Sequence, residues 1–106
     1  MHQKVIFHPL ARQELLEAVR FYEDLSPGLG RRLRMEAKAF LDKILAHLLR
    51  YSVRIAPVRR ANLDRFPYHL NYFLHGSDIA IVAVSHHRQR PFYWRGRLTE
   101  NAWLGQ

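Results

Sequence analysis

His86, His87 and Tyr93 lie close together in the chain and have the residue types that metal-independent phosphodiester cleavage requires. Cutting RNA without a metal needs a base for the 2′-hydroxyl proton, an acid for the 5′-oxygen, and cations that hold the phosphorane. The two histidines and the tyrosine can supply base and acid, and Arg60, Arg65, Arg88 and Arg95 can supply the cations. Each also admits a structural role. His86 and His87 can close a strand with one ring turned inward. Arg59, Arg60 and Arg65 can be a solvated strand face or a seat for phosphate or carboxylate, because arginine offers both a bidentate fork. Arg95 and Arg97 are expected to project from the C-terminal segment, either toward a target or simply into water. Phe92, Tyr93 and Trp94 can stack on bases, worth about 1–3 kcal/mol each. Beside a small core, packing is the commoner use of such residues, above all for Trp94.

Other chemistries are excluded by composition. The 106 residues include no cysteine, so disulfides, thiolate metal sites and cysteine nucleophiles are absent. The seven histidines form no H-x-x-x-H pair and no cluster with carboxylates, so no metal is expected. There is no Walker A, G-x-G-x-x-G or G-x-S-x-G motif, and no cofactor is expected. Lys plus Arg total 17 against 9 Asp plus Glu, a net charge of +8. The surplus is concentrated after residue 49, where nine arginines face only Asp64, Asp78 and Glu100. A basic half of this kind suits an acidic partner, whether nucleic acid, ribosome or an acidic protein segment. Neither a signal peptide nor a membrane span is expected, and the expected location is the cytoplasm.

Elements that position these residues follow from periodicity. Gln3 to Phe7 is rich in β-formers and predicts a strand. His8-Pro9 marks a boundary, since proline suits a first helical turn. Ala11, Leu15, Ala18, Val19 and Tyr22 then repeat with helical spacing. Ser26-Pro27-Gly28 ends that helix. A second helix is expected from Leu29 to about Leu49, with the stripe Leu29, Leu33, Ala37, Phe40, Leu41, Ile44, Leu48. Strands are expected over Arg59–Phe66, over Tyr68–His75 with Leu70, Tyr72 and Leu74 on one face, and over Ile79–Val84. The last is apolar on both faces and so central. The expectation is a single α+β domain over residues 1–106. A helical hairpin packs on a mainly antiparallel sheet of about four strands, in the order β-α-α-β-β-β. The segment from His86 is polar, basic and aromatic, and Pro91 argues against a central strand there.

Read in order, these pieces resemble the RelE/ParE toxin superfamily over roughly residues 3–97. Phe7-His8-Pro9-Leu10-Ala11-Arg12-Gln13-Glu14-Leu15 is similar to its first strand and helix start, as are Tyr22 and Pro27-Gly28-Leu29-Gly30. Arg59-Arg60 through Arg65-Phe66-Pro67-Tyr68 and Asn71-Tyr72 are similar to its "RR…RFPY" strand pair. The strongest likeness runs from Ile81 through His86-His87-Arg88-Gln89-Arg90-Pro91-Phe92-Tyr93-Trp94 to Arg97. Leu48-Leu49-Arg50-Tyr51-Ser52 stands where the family often has a proline, and Gln89 displaces the second arginine of the tail motif to Arg90.

The resemblance implies a growth-inhibiting toxin of a type II toxin–antitoxin system, held inactive by a cognate antitoxin whose C-terminal segment wraps it. RelE-like members cleave mRNA on the ribosome and ParE-like members poison DNA gyrase. This chain resembles the ParE-like, plasmid stabilization group, so gyrase is the first expected target. A ribosome-dependent mRNA endoribonuclease is the second reading, with His86, His87 and Tyr93 catalytic. A non-toxic binding member is the third. Arg60, Arg65, Arg88, Arg90, Arg95 and Arg97 are the expected contacts to target or phosphate. An acidic, partly disordered antitoxin segment is expected along the helical hairpin or a sheet edge, in a toxin–antitoxin hetero-oligomer.

Overall fold

The computed structural model describes residues 4–47 and 51–105. The chain begins with β1 (Val5–Phe7) and turns at His8 into α1 (Pro9–Leu25). His8 caps this helix: its Nδ1 accepts from the Leu10 N–H at 3.0 Å, and Pro9 opens the first turn, where a missing N–H costs nothing. The expected stripe is the buried face, with Ala11 and Ala18 enclosed and Leu15, Val19 and Tyr22 packed on the core. α2 (Leu29–Ala46) buries Leu33, Ala37, Phe40 and Ile44. The expected continuation through Leu48 and Leu49, like Gln3 of the first strand and the Leu48–Arg50 part of the proline departure, lies outside the described residues.

The helical hairpin depends on two glycines and one carboxylate. Gly28 holds a φ of +90° at the turn, a conformation that side chains resist. The Glu23 carboxylate accepts from the N–H groups of Gly28 at 2.8 Å and Gly30 at 3.1 Å, satisfying donors that α2 leaves open at its start. A Cβ on Gly30 would stand 2.3 Å from the Val19 carbonyl oxygen and 2.9 Å from the Glu23 Cβ. Gly30→Ala must therefore part the helices, at an expected cost of about 1–3 kcal/mol in urea unfolding. An unchanged midpoint would show that the hairpin slides apart freely.

β2 (Ser52–Ile55), β3 (Val58–Asn62), β4 (Tyr68–His75) and β5 (Asp78–His86) complete a five-stranded mixed sheet in the order β1-β5-β4-β3-β2. β1 and β5 run parallel, and the other neighbouring pairs are antiparallel. The expected architecture holds, with β2 as an additional edge strand. The second expected strand, Arg59–Phe66, stops earlier than Phe66 and is β3, Val58–Asn62. After Asn62 the chain leaves the ladder, and Glu36 Oε2 of α2 accepts from the N–H groups of Asp64 and Arg65 at 2.6 and 2.9 Å. β4 lies where alternation placed it, and β5 lies where the run apolar on both faces did. β5 is interior and buried from Ile79 to Ser85.

One irregularity shapes the rest. Asn71 pairs with Ala83 and Tyr72 with Ile81, which makes Val82 the extra residue of a bulge. Ile81 and Val84 face the helices, whereas Val82 and Ala83 join Val58 and Trp94 in a second apolar cluster. That cluster is roofed by the C-terminal segment. It crosses the sheet face opposite the helices through two 3-10 turns, Arg95–Thr99 and Ala102–Leu104, and packs Tyr93, Leu98 and Trp103 against it. No helix among the described residues is long and apolar enough to cross a membrane.

Candidate functional site

Between the sheet and the returning tail lies a cleft of about 140 Å³. Four strands supply its floor: Arg54 from β2, Arg60 from β3, His69 and Asn71 from β4, and Ser85 and His86 from β5. His87 and the segment from Gln89 to Trp94 form its wall. Among the described residues, three arginines and three histidines line it, and no carboxylate does.

His69 is 7% exposed, and its Nδ1 lies 3.0 Å from the Nδ1 of His87. The ring planes are nearly parallel, at 13°, and with centroids 5.2 Å apart the rings meet edge to edge. Two such nitrogens hydrogen-bond only if one carries a proton and the other does not. Burial, and then the positive charge of Arg60, His87, Arg54 and His86, holds His69 down to about 4. His87 is also depressed, first by burial and then by Arg60 and His86. Both rings are neutral near pH 7 and share a single Nδ1 proton.

A second chain of hydrogen bonds runs from the floor to α1. Asn71 Nδ2 donates to Ser85 Oγ at 3.0 Å, Ser85 Oγ pairs with the Tyr93 hydroxyl at 3.0 Å, and that hydroxyl donates to Glu14 Oε2 at 2.8 Å. Because the phenolic proton points to Glu14, Ser85 is the donor to Tyr93. Burial pushes the Tyr93 phenol up to about 12, with the Ser85 bond acting the other way and Glu14 reinforcing the rise. Its proton is therefore firmly held.

Glu14 does more than receive that proton. β1 covers β5 only from Ile79 to Ile81, so the backbone beyond lacks a strand partner on that side. There Glu14 Oε1 accepts the Val84 N–H at 3.0 Å, and Arg97 Nη1 donates to the Val82 carbonyl at 3.0 Å. Arg97 and Glu14 also meet through Nη1–Oε1 at 3.1 Å and Nη2–Oε2 at 2.8 Å. The ion pair completes the sheet edge in place of a strand. This corrects the expectation that Arg97 projects outward: its guanidinium is turned in and pinned to Glu14.

The remaining expected site residues divide. His86, His87, Tyr93, Arg60 and Arg90 line the cleft. Within it, Arg60 Nε donates to Asn62 Oδ1 at 2.8 Å, and His86 Nδ1 accepts from the Arg88 N–H at 3.0 Å. Arg88 and Arg95 are exposed outside the lining. Arg65 is not brought to the cleft but lines a separate groove of about 900 Å³ along α2, with Tyr22, Phe40 and Pro67. His69, Arg54, Asn71, Ser85 and Glu14 escaped the sequence reading. The off-face position of His69, beside Leu70 in an alternating strand, was the one available signal. Glu14 falls within the stretch that resembles the family's helix start, but nothing there gives it a role, since its partners lie 70 to 83 residues away.

Chemically, the cleft can receive an anion and can pass a proton through the paired imidazoles. Comparison with known proteins gives two further findings. A family model described as the ParE toxin of type II toxin–antitoxin systems, parDE, matches residues 5–91. A solved structure described as the chromosomal ParDE TA system from P. aeruginosa shares the fold, with a TM-score of 0.68 at 15% identity, over 79% of this chain and 95% of that one. No curated protein sequence matches the chain.

Proposed function

This chain belongs to the ParE toxin family of type II toxin–antitoxin systems, and from that premise we propose that it arrests growth in the cytoplasm by binding and poisoning DNA gyrase. A cognate antitoxin holds it inactive, through an acidic segment that complements the net charge of +8. The observation that carries a binding rather than a cleaving toxin is the state of Tyr93. Its hydroxyl gives its proton to Glu14 and accepts from Ser85, so it is occupied as a structural link. His86 Nδ1 is likewise engaged with the backbone of Arg88. The exposed cations Arg88 and Arg95 then serve contact with the target.

A second reading, mRNA cleavage on the ribosome, is favoured by one feature, the neutral His69–His87 pair beside Arg54 and Arg60. One experiment separates the two. Purified toxin is expected to inhibit gyrase supercoiling and to trap cleaved DNA, while toeprints on translated mRNA show no new stops. Codon-phased cuts that vanish in His87→Gln, with supercoiling untouched, would replace gyrase by mRNA as the target.

A further inference from the structure

We infer that the cleft is a proton-linked binding site for a phosphate or similar tetrahedral oxyanion group, in which the His69–His87 pair takes up one proton as the anion enters. The inference is independent of which target the toxin has.

Three observations support it. The first is charge: Arg54, Arg60 and Arg90 converge on one small space from two strands and the tail, joined by His69, His86 and His87. Among the described residues, the only carboxylate connected to it is Glu14, reached through Ser85 and Tyr93 and neutralised by Arg97. The second is size. A cleft of about 140 Å³ holds roughly four or five waters, which a single tetrahedral oxyanion would largely displace.

The third is the imidazole pair. With Nδ1 atoms 3.0 Å apart, the neutral pair holds one proton between the rings and leaves one Nε2 without hydrogen. A further proton makes both Nε2 atoms donors. The groups facing the pair are Arg54 from β2, Arg60 from β3, His86 from β5, and Arg90 and Tyr93 from the tail. All are cationic or neutral, so in the empty cleft their field opposes the extra proton. An oxyanion cancels that field. Binding and protonation therefore favour each other, and each must strengthen the other by the same factor.

The sign follows directly. Empty, His69 sits at about 4 and stays neutral above pH 5. If the anion returns it to its ordinary 6.5, affinity rises as the pH falls through that value. The gain between pH 8 and pH 5.5 is about ten-fold.

Sulfate is the suitable probe, because its own charge is constant over this range. Calorimetric titration of the full chain, at fixed ionic strength and in two buffers of different ionisation enthalpy, reads affinity and proton uptake together. The expected result is saturable binding, about ten-fold tighter at pH 5.5 than at pH 8, with net proton uptake near pH 6. His69→Gln is expected to bind sulfate as the parent does at pH 8 and to lose the pH dependence, and Arg60→Ala to weaken binding at every pH. The imidazole proton resonances of the unsubstituted chain give a check that needs no variant: saturating sulfate should raise the titration of His69 by at least one pH unit. No saturable binding, a pH-independent affinity, or an unmoved His69 titration would each overturn the inference. A dinucleotide with one phosphodiester identifies the source of the group: tighter binding than sulfate points to a nucleic-acid backbone, and weaker binding to a free oxyanion.

Discussion

Trp94→Ala is expected to lower the free energy of unfolding by about 4 kcal/mol. The indole is 2% exposed and closes the second apolar cluster over Val58, Val82 and Ala83, with Phe92 edge-on at 5.9 Å. Emptying that volume removes a large apolar contact and leaves a cavity that the short 3-10 turns fill only in part. Domains of this size are stable by about 5–15 kcal/mol, so the loss would be a large fraction of the total. Urea unfolding followed by far-UV circular dichroism measures it. A loss below about 1 kcal/mol would mean that the tail is a flap whose removal leaves the sheet indifferent. The cleft would suffer with the fold, since Trp94 belongs to its wall.

The second large effect is expected at Glu14. Glu14→Ala takes away one acceptor and strands three donors: the Val84 N–H, the Tyr93 hydroxyl and the Arg97 guanidinium. The side chains of Arg97 and Glu14 are 12% and 18% exposed, so solvent compensates little. Removing one partner of a buried pair costs about 3–5 kcal/mol, and the residual exposure places the expectation at the lower end, about 3 kcal/mol. Adding Arg97→Ala to Glu14→Ala should recover part of that loss, because the unpaired guanidinium disappears with it. A double-mutant cycle in urea tests this. If Glu14→Ala costs no more than a change at exposed Glu17, the sheet edge does not depend on the ion pair.

The elements visible in the sequence were those with a strong period. Both helices show one apolar stripe, and in β4 and β5 the apolar residues run to strand length between turn signals. β2 showed no such pattern, because three of its four residues are exposed at the sheet edge. The strand expected to run to Phe66 was misled by Leu63. That residue continues the alternation and is buried, yet Glu36 draws the N–H of Asp64, 28 residues further on, out of the ladder. Half of the site was legible by residue type alone: His86, His87, Tyr93, Arg60 and Arg90 meet in one cleft. The other half was not, because it arises from superposition. His69 meets His87 only through the pairing of β4 with β5, and Arg97 turns inward only because β1 is too short to cover Val82 and Val84. Local sequence marks His69 only by its off-face position, and carries no trace of its partner or of the inward turn of Arg97.

The pairing of β1 with β5 also sets a timetable. Val5 is hydrogen-bonded beside Ile79, and His8 is held by Glu100 Oε1 at 2.6 Å and by the Trp103 ring at 5.1 Å. A ribosome emits the N-terminus first, at about 5–20 residues per second, so the first strand waits roughly 4–15 seconds for its neighbour. Over that interval the two helices can already pair, since their contacts are local. The cleft cannot form until His87 and the residues after it have emerged. A partner that grips the helical hairpin alone can thus bind the nascent chain before the cleft has come into being.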